Sequence, residues 1–278
     1  MSYILCKTKT AKKPFFIENI STNIYSMEEL CYYLYNNLYL IDDTLLNEKL
    51  CVWLKDELGL QGLSKKLTAL MEQKVSVGEM ILPVFKEIYY LSHEQMRIFL
   101  AKLSQYEAQP ERVRLKMKGE YHFVNEKFRN ALNVYKKSLQ TPSMDETGSQ
   151  FEGSVYYNMG CAHARLFEVS EARECLKTAY DMLHSHKVLT GYLTAVYLAD
   201  GEEALHKAAG ELGVDAKTVQ EVLLQIQESE NSAMESESAL RYKELKDRME
   251  NGDRKGYEEG MRTYLKDLTD TYHKNTGY

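Results

Sequence analysis

Apolar residues recur along most of this chain at the spacing of one helix face, and polar residues fill the other positions, which predicts helices over nearly its whole length. Ser26 and Glu29 have the spacing of a capping box. The stripe Leu30, Leu34, Leu38 and Ile41 then predicts a helix that starts at Met27 and reads MEELCYYLYNNLYLI. Tyr32, Tyr33, Tyr35 and Tyr39 surround that stripe and widen the face expected to pack. A second helix, capped by Asp42 or Asp43, carries Leu45, Leu46, Leu50, Trp53, Leu54 and Leu58 up to Gly59, and Trp53 is expected to anchor the local core. Leu63, Leu67, Leu70 and Met71 mark a third helix. Met80, Ile81, Val84, Phe85, Ile88 and Tyr89 mark a fourth, with Pro83 in its first turns. The Ser92–Gln95 pair opens a fifth through Met96, Phe99, Leu100 and Leu103. The pattern changes near the start, where Ser2–Cys6 and Phe15–Ile20 are short β-branched and aromatic runs that predict one small β-hairpin within residues 2–20. Residues 1–107 therefore read as an N-terminal helical domain.

Beyond Pro110 the helices come in pairs. In the first, Glu111 to Leu139, Gly119, Phe128, Ala131, Tyr135 and Ser138 alternate small and large residues as two closely packed antiparallel helices require. In the second, Ser154 to Leu183, the corresponding residues are Tyr156, Asn158, Gly160, Ala162, Ala172 and Ala179. With Gly160 counted as the eighth position of a 34-residue unit, this second segment resembles a tetratricopeptide (TPR) repeat, and the first resembles it less closely. The polar segment Thr141–Gly153 reads as an insertion between them. A third, looser pair spans Val188–Ala199 and Glu202–Leu212, split at Asp200-Gly201. Asp215 caps a further helix with Val219, Val222, Leu223 and Ile226. Residues Gln227–Ala239 then thin to acidic and small side chains, leaving open a solvated helix or a linker. Leu240, Leu245 and Met249 resume a stripe; Tyr257, Met261, Tyr264, Leu265, Leu268 and Tyr272 form a closing helix expected to cap the last exposed core. The fold class is mostly α, a short TPR-like α-solenoid at 108–213 between the N-terminal domain and a C-terminal segment, 214–278.

The resemblance implies a groove lined by the first helix of each pair, which in TPR arrays receives extended peptides or partner helices. Carried onto this sequence, the groove positions are Lys116, Glu120, Phe123 and Val124 in the first unit and Tyr157, Asn158, Cys161 and Arg165 in the second. An amide at Asn158 both donates and accepts, so it suits a partner's main chain; Tyr157, Asn158 and Arg165 are expected to share one face. The carboxylate-clamp version, which recognises chaperone C-termini, is not matched, because Glu120 stands where that pattern has Asn. The implied function is a non-enzymatic protein- or peptide-binding scaffold. The alternative is a peptide-responsive bacterial regulator whose N-terminal domain acts on DNA or a signalling protein, although GLQGLSKKLTALMEQ has no cluster of Arg, Gln and Asn at the start of a recognition helix.

Composition narrows the partners. Four prolines, a hydrophobic content of 44% and a charged content of 27% suit an ordered helical protein, and a net charge of −6 disfavours nucleic acid. The basic run Lys7–Lys13 reads as a solvated turn. Five cysteines without a CxxC pair suggest reduced thiols rather than disulfides or zinc, and no stretch approaches a membrane span, so a cytoplasmic protein without a membrane partner is expected. No phosphate-binding loop, nucleophile elbow, HExxH or EF-hand is present. His184 and His186 near Asp181 read as a polar helix end, Cys161 and His163 point to different sides of one helix, and His122 and His163 take the same packing position. No catalytic, cofactor or metal residue is assigned.

Overall fold

The computed structural model describes residues 9–42, 44–142 and 148–276, and among these the chain forms fourteen α-helices and one two-stranded sheet. It divides into two compact units, Met1–Lys118 and Gly119–Tyr278. The division lies inside a helix, where sequence reasoning sets boundaries after 107 and 213.

In the first unit, β1 (Phe15–Ile17) pairs antiparallel with β2 (Thr22–Ile24), Phe15 lying opposite Ile24. A 3-10 turn at Glu18–Ile20, with Ser21 at φ 51°, closes this hairpin. The expected partner run Ser2–Cys6 lies outside the described residues. Helix α1 (Met27–Asn36) starts where expected, the Ser26 hydroxyl accepting from the Glu29 N–H at 3.2 Å while the Glu29 carboxylate accepts from the Tyr25 N–H. It stops sooner than its apolar stripe predicts. The Asn36 and Asn37 side chains donate back to the carbonyls of Tyr32 and Tyr33, each at 2.8 Å, and Leu38–Leu40 tighten into a 3-10 turn.

Asp42 does not cap the second helix, and Asp43 lies outside the described residues. The cap of α2 (Glu48–Asp56) is Asn47, whose side-chain oxygen accepts from the Leu50 N–H at 3.2 Å. The Asp42 carboxylate instead accepts from the Thr44 N–H at 3.0 Å and from the Lys118 ammonium at 2.5 Å. Burial opposes its ionisation, but these bonds outweigh burial and hold the carboxyl below its ordinary value. Leu45 and Leu46 are buried all the same, carried into the core by a turn rather than a helix.

Trp53 of α2 anchors the N-terminal segment, as its sequence context predicts. Its indole N–H donates to the Lys13 carbonyl at 2.9 Å and its ring lies 5.7 Å from that of Phe15. The Lys12 and Lys13 backbone N–H groups both donate to the Glu57 carboxylate at 3.1 Å, so this end of the basic run is tied down by its main chain. Helices α3 (Gln61–Glu72), α4 (Val77–Glu87) and α5 (His93–Glu107) follow, α4 capped by Ser76 and α5 by a complete Ser92–Gln95 capping box.

Helix α6 (Glu111–Val124) holds the division between the units. In the second unit come α7 (Phe128–Gln140), α8 (Gly148–Arg165) and α9 (Val169–Leu183). The glycines set the closest helix contacts. A Cβ at Gly119 would lie 2.4 Å from the Tyr135 ring, and one at Gly160 would lie 2.6 Å from Leu176 Cγ. Each glycine thus faces the residue sixteen positions later. Ala131, Ser138, Ala172 and Ala179 are fully buried in the same two helix pairs. The expected insertion 141–153 is shorter than the sequence suggests, because residues 148–153 form the first turns of α8 and Gly153 packs against Leu183.

Helices α10 (His186–Asp200), α11 (Glu202–Glu211) and α12 (Ala216–Met234) share a core of Leu193, Val196, Leu205, Val222 and Ile226. Residues 227–239 are helical apart from a break at Glu235, after which Ser236 caps α13 (Glu237–Glu250). Their exposed side chains explain the loss of the apolar stripe. The closing helix α14 (Arg254–Thr276) pairs antiparallel with α13 through Leu245 on Gly260, Tyr242 on Tyr264, and Arg241 with Asp267. It does not cap the last pair: α12 covers that core, while α14 packs on α7 and Lys274 pairs with Glu126.

One partly buried ion cluster joins α7, α8 and the start of α9 in the second unit. Glu168 accepts from Arg129 at 2.5 Å, and its other oxygen lies 2.6 Å from Nδ1 of His163, which is nearly buried. Burial opposes the Glu168 charge, yet the His163 and Arg129 bonds hold its carboxyl below the ordinary 4.5. A carboxyl lowered on folding stabilises fully above its unfolded value and loses that contribution as pH falls through the folded one. Glu168→Gln is therefore expected to cost about 1–3 kcal/mol at neutral pH. The gap from wild type should narrow in urea unfolding as pH falls below the ordinary 4.5 and close once it has passed through the lowered folded-state value, where the carboxyl of both states takes up its proton.

Candidate functional site

Tyr157, Cys161 and Arg165 stand one turn apart on α8, with Asn158 beside them, so all four fall on one stripe. Around Asn158 the structure gathers side chains from three helices. Its Nδ2 donates to Glu120 Oε1 of α6 at 3.3 Å. The Tyr135 hydroxyl of α7 sits in the same cluster, its pKa pushed up first by burial and then by the Glu120 charge, against a hydrogen bond with Asn158 that lowers it. The Asn158 amide is half-buried and held in place rather than free to rotate.

On the other side, Tyr157 and Cys161 stand one turn apart, and the Lys187 ammonium of α10 lies 5.2 Å from the centre of the Tyr157 ring. Burial pushes the Cys161 thiol up more than Tyr157 and Lys187 bring it down. It therefore stays protonated at neutral pH and supplies a weak polar contact, not a thiolate nucleophile.

The remaining expected residues fall elsewhere. The Arg165 guanidinium lies 5.2 Å from the Phe128 ring centre and 3.9 Å from Glu126, which turns it toward the α6–α7 connection and away from Asn158. Phe123 is half-buried and meets Phe128 edge-on at 5.3 Å. Lys116 belongs to the first unit. The structure thus brings together Glu120, Tyr157, Asn158 and Cys161, and adds Tyr135 and Lys187, which sequence reasoning did not place there. Tyr135 had a signal in the glycine sixteen residues before it, which makes room for its ring. Lys187, in the first turn of α10, had none.

Among the described residues no group of three His, Cys, Asp or Glu side chains is placed to hold a metal ion, and no helix is long and apolar enough to cross a membrane. Among the described residues Cys31, Cys51, Cys161 and Cys175 are free thiols. Compared with known proteins, the chain matches no family model, no curated protein and no solved structure.

Proposed function

We propose that the chain is a non-enzymatic cytoplasmic scaffold whose TPR-like helix pairs hold an extended protein or peptide segment along α6, α8 and α10. The observation that carries this reading is the Asn158 amide, fixed by Glu120 and the Tyr135 cluster in the middle of the α8 stripe. An amide positioned in advance forms main-chain hydrogen bonds without the entropic cost of ordering it on binding, and main-chain recognition accepts many partner sequences. Tyr157 and Lys187 add an aromatic face and a cation one helix further along.

Capture from native lysate with wild type and Asn158→Ala tests the proposal. The loss of one or two hydrogen bonds to a partner is expected to weaken retention about tenfold, with the variant's stability lowered by about 1–2 kcal/mol for its lost bonds to Glu120 and Tyr135, so that it stays folded at the assay temperature. Equal recovery of the same partners by both proteins contradicts the proposal.

A further inference from the structure

The tyrosines flanking the α1 stripe do not all pack into the core. Tyr33 is buried, but Tyr32 is 63% exposed and Tyr35, stacked on Phe99, is 38% exposed. With Tyr89 and Tyr90 they line a cleft of about 960 Å³ within the first unit, walled by β2, the length of α1, the turn that follows α4 and Gln95 of α5. That volume is at the upper end of ligand sites, which run about 300–1,000 Å³. The Tyr90 phenol is pushed up by burial and then by the neighbouring Cys31, Tyr32 and Tyr35.

Two features of this cleft point to its occupant. The first is charge. Its ionisable carboxylates are Glu28 and Glu29, and among the described residues no Lys, Arg or His lines it. Tyrosine faces carry the negative side of the ring quadrupole, so rings and carboxylates together favour a cation with an apolar stem. The second is Tyr89, which follows the C-cap Ile88 of α4 and has φ 51°. The Tyr90 N–H bonds to the Phe85 carbonyl at 3.1 Å, as in a helix C-terminal motif whose left-handed residue is usually Gly. A tyrosine there carries backbone strain, and its ring is 90% exposed, so no packing compensates for it.

We infer that this cleft binds an extended peptide segment bearing Lys or Arg, its cationic heads over Tyr32, Tyr35 and Tyr89 beside Glu28 and its main chain along β2. A peptide suits the cleft better than a single small cation because the rings are spread between α1 and the α4 turn and offer more than one contact. The Thr22 and Asn23 side of the cleft is an exposed strand that, among the described residues, pairs only with β1.

The test uses the full chain, immobilised and challenged with a random heptapeptide library. Retained peptides are expected to be several-fold enriched in Lys and Arg over the input. The strongest of them should bind Tyr89→Gly about 3- to 30-fold more weakly than wild type, and Glu28→Gln several-fold more weakly. Because Gly suits the left-handed position, Tyr89→Gly should unfold at the wild-type temperature or above, which separates lost recognition from lost folding. The absence of cationic enrichment, or unchanged affinity in Tyr89→Gly, overturns the inference. Competition by free arginine at the peptide's own concentration overturns the peptide as occupant.

Discussion

In urea unfolding, Tyr135→Ala is expected to lower the stability of the second unit by about 3–5 kcal/mol, the usual cost of emptying an aromatic site in a packed core. The ring is 1% exposed and sits against Gly119 so closely that a Cβ there would overlap it. It belongs to the core of Phe128, Ala131, Leu132, Val155, Met159 and Ala162, so its loss leaves a cavity with walls from three helices. Backbone collapse is hindered because the small residues on both sides already hold the helices at close range. Tyr135→Phe keeps the ring and removes only the hydroxyl, so its cost should be about 1 kcal/mol. A small effect of Tyr135→Ala would mean that the pair is not held by this ring.

Trp53→Ala is expected to be equally damaging in the first unit, at about 3–5 kcal/mol. Here the loss combines a buried indole, its contact with Phe15, and the bond to Lys13 that ties the segment before β1 onto α2. Trp53→Phe retains most of the apolar contact and loses the N–H bond, for about 1 kcal/mol plus a small packing term. Because Trp53 is the chain's single tryptophan, unfolding of both variants has to be followed by circular dichroism.

The helical plan was legible in the sequence wherever one periodic stripe coincided with a cap. Ser26, Ser92 and Asp215 all mark helix starts, and Gly119 and Gly160 point to close helix contacts at Tyr135 and Leu176. Reading failed where two local interactions compete for the same backbone. Leu38 and Ile41 continue the α1 stripe, but the Asn36 and Asn37 side chains end the helix, and Asp42 is a better turn residue than cap because Thr44 and Lys118 bind it. The role of α14 was hidden for another reason. Its amphipathic pattern shows that one face is covered, but periodicity does not say by which helix, and α7 lies far away in sequence. At the candidate site, α8 was readable because its residues are local in sequence. The Tyr135 and Lys187 contributions depend on packing between helices, which a single stripe does not encode.

The proposed binding of a partner along α8 beside Asn158 has a direct test. The most direct measurement places a photo-crosslinking amino acid at Tyr157 and, as a control, at Lys137 on the exposed side of α7. In native lysate, the probe at 157 is expected to attach to one extended segment of a partner, Asn158→Ala to suppress this product, and the probe at 137 not to form it. Equal crosslinking from both positions, or a product at 157 indifferent to Asn158→Ala, would contradict the proposal.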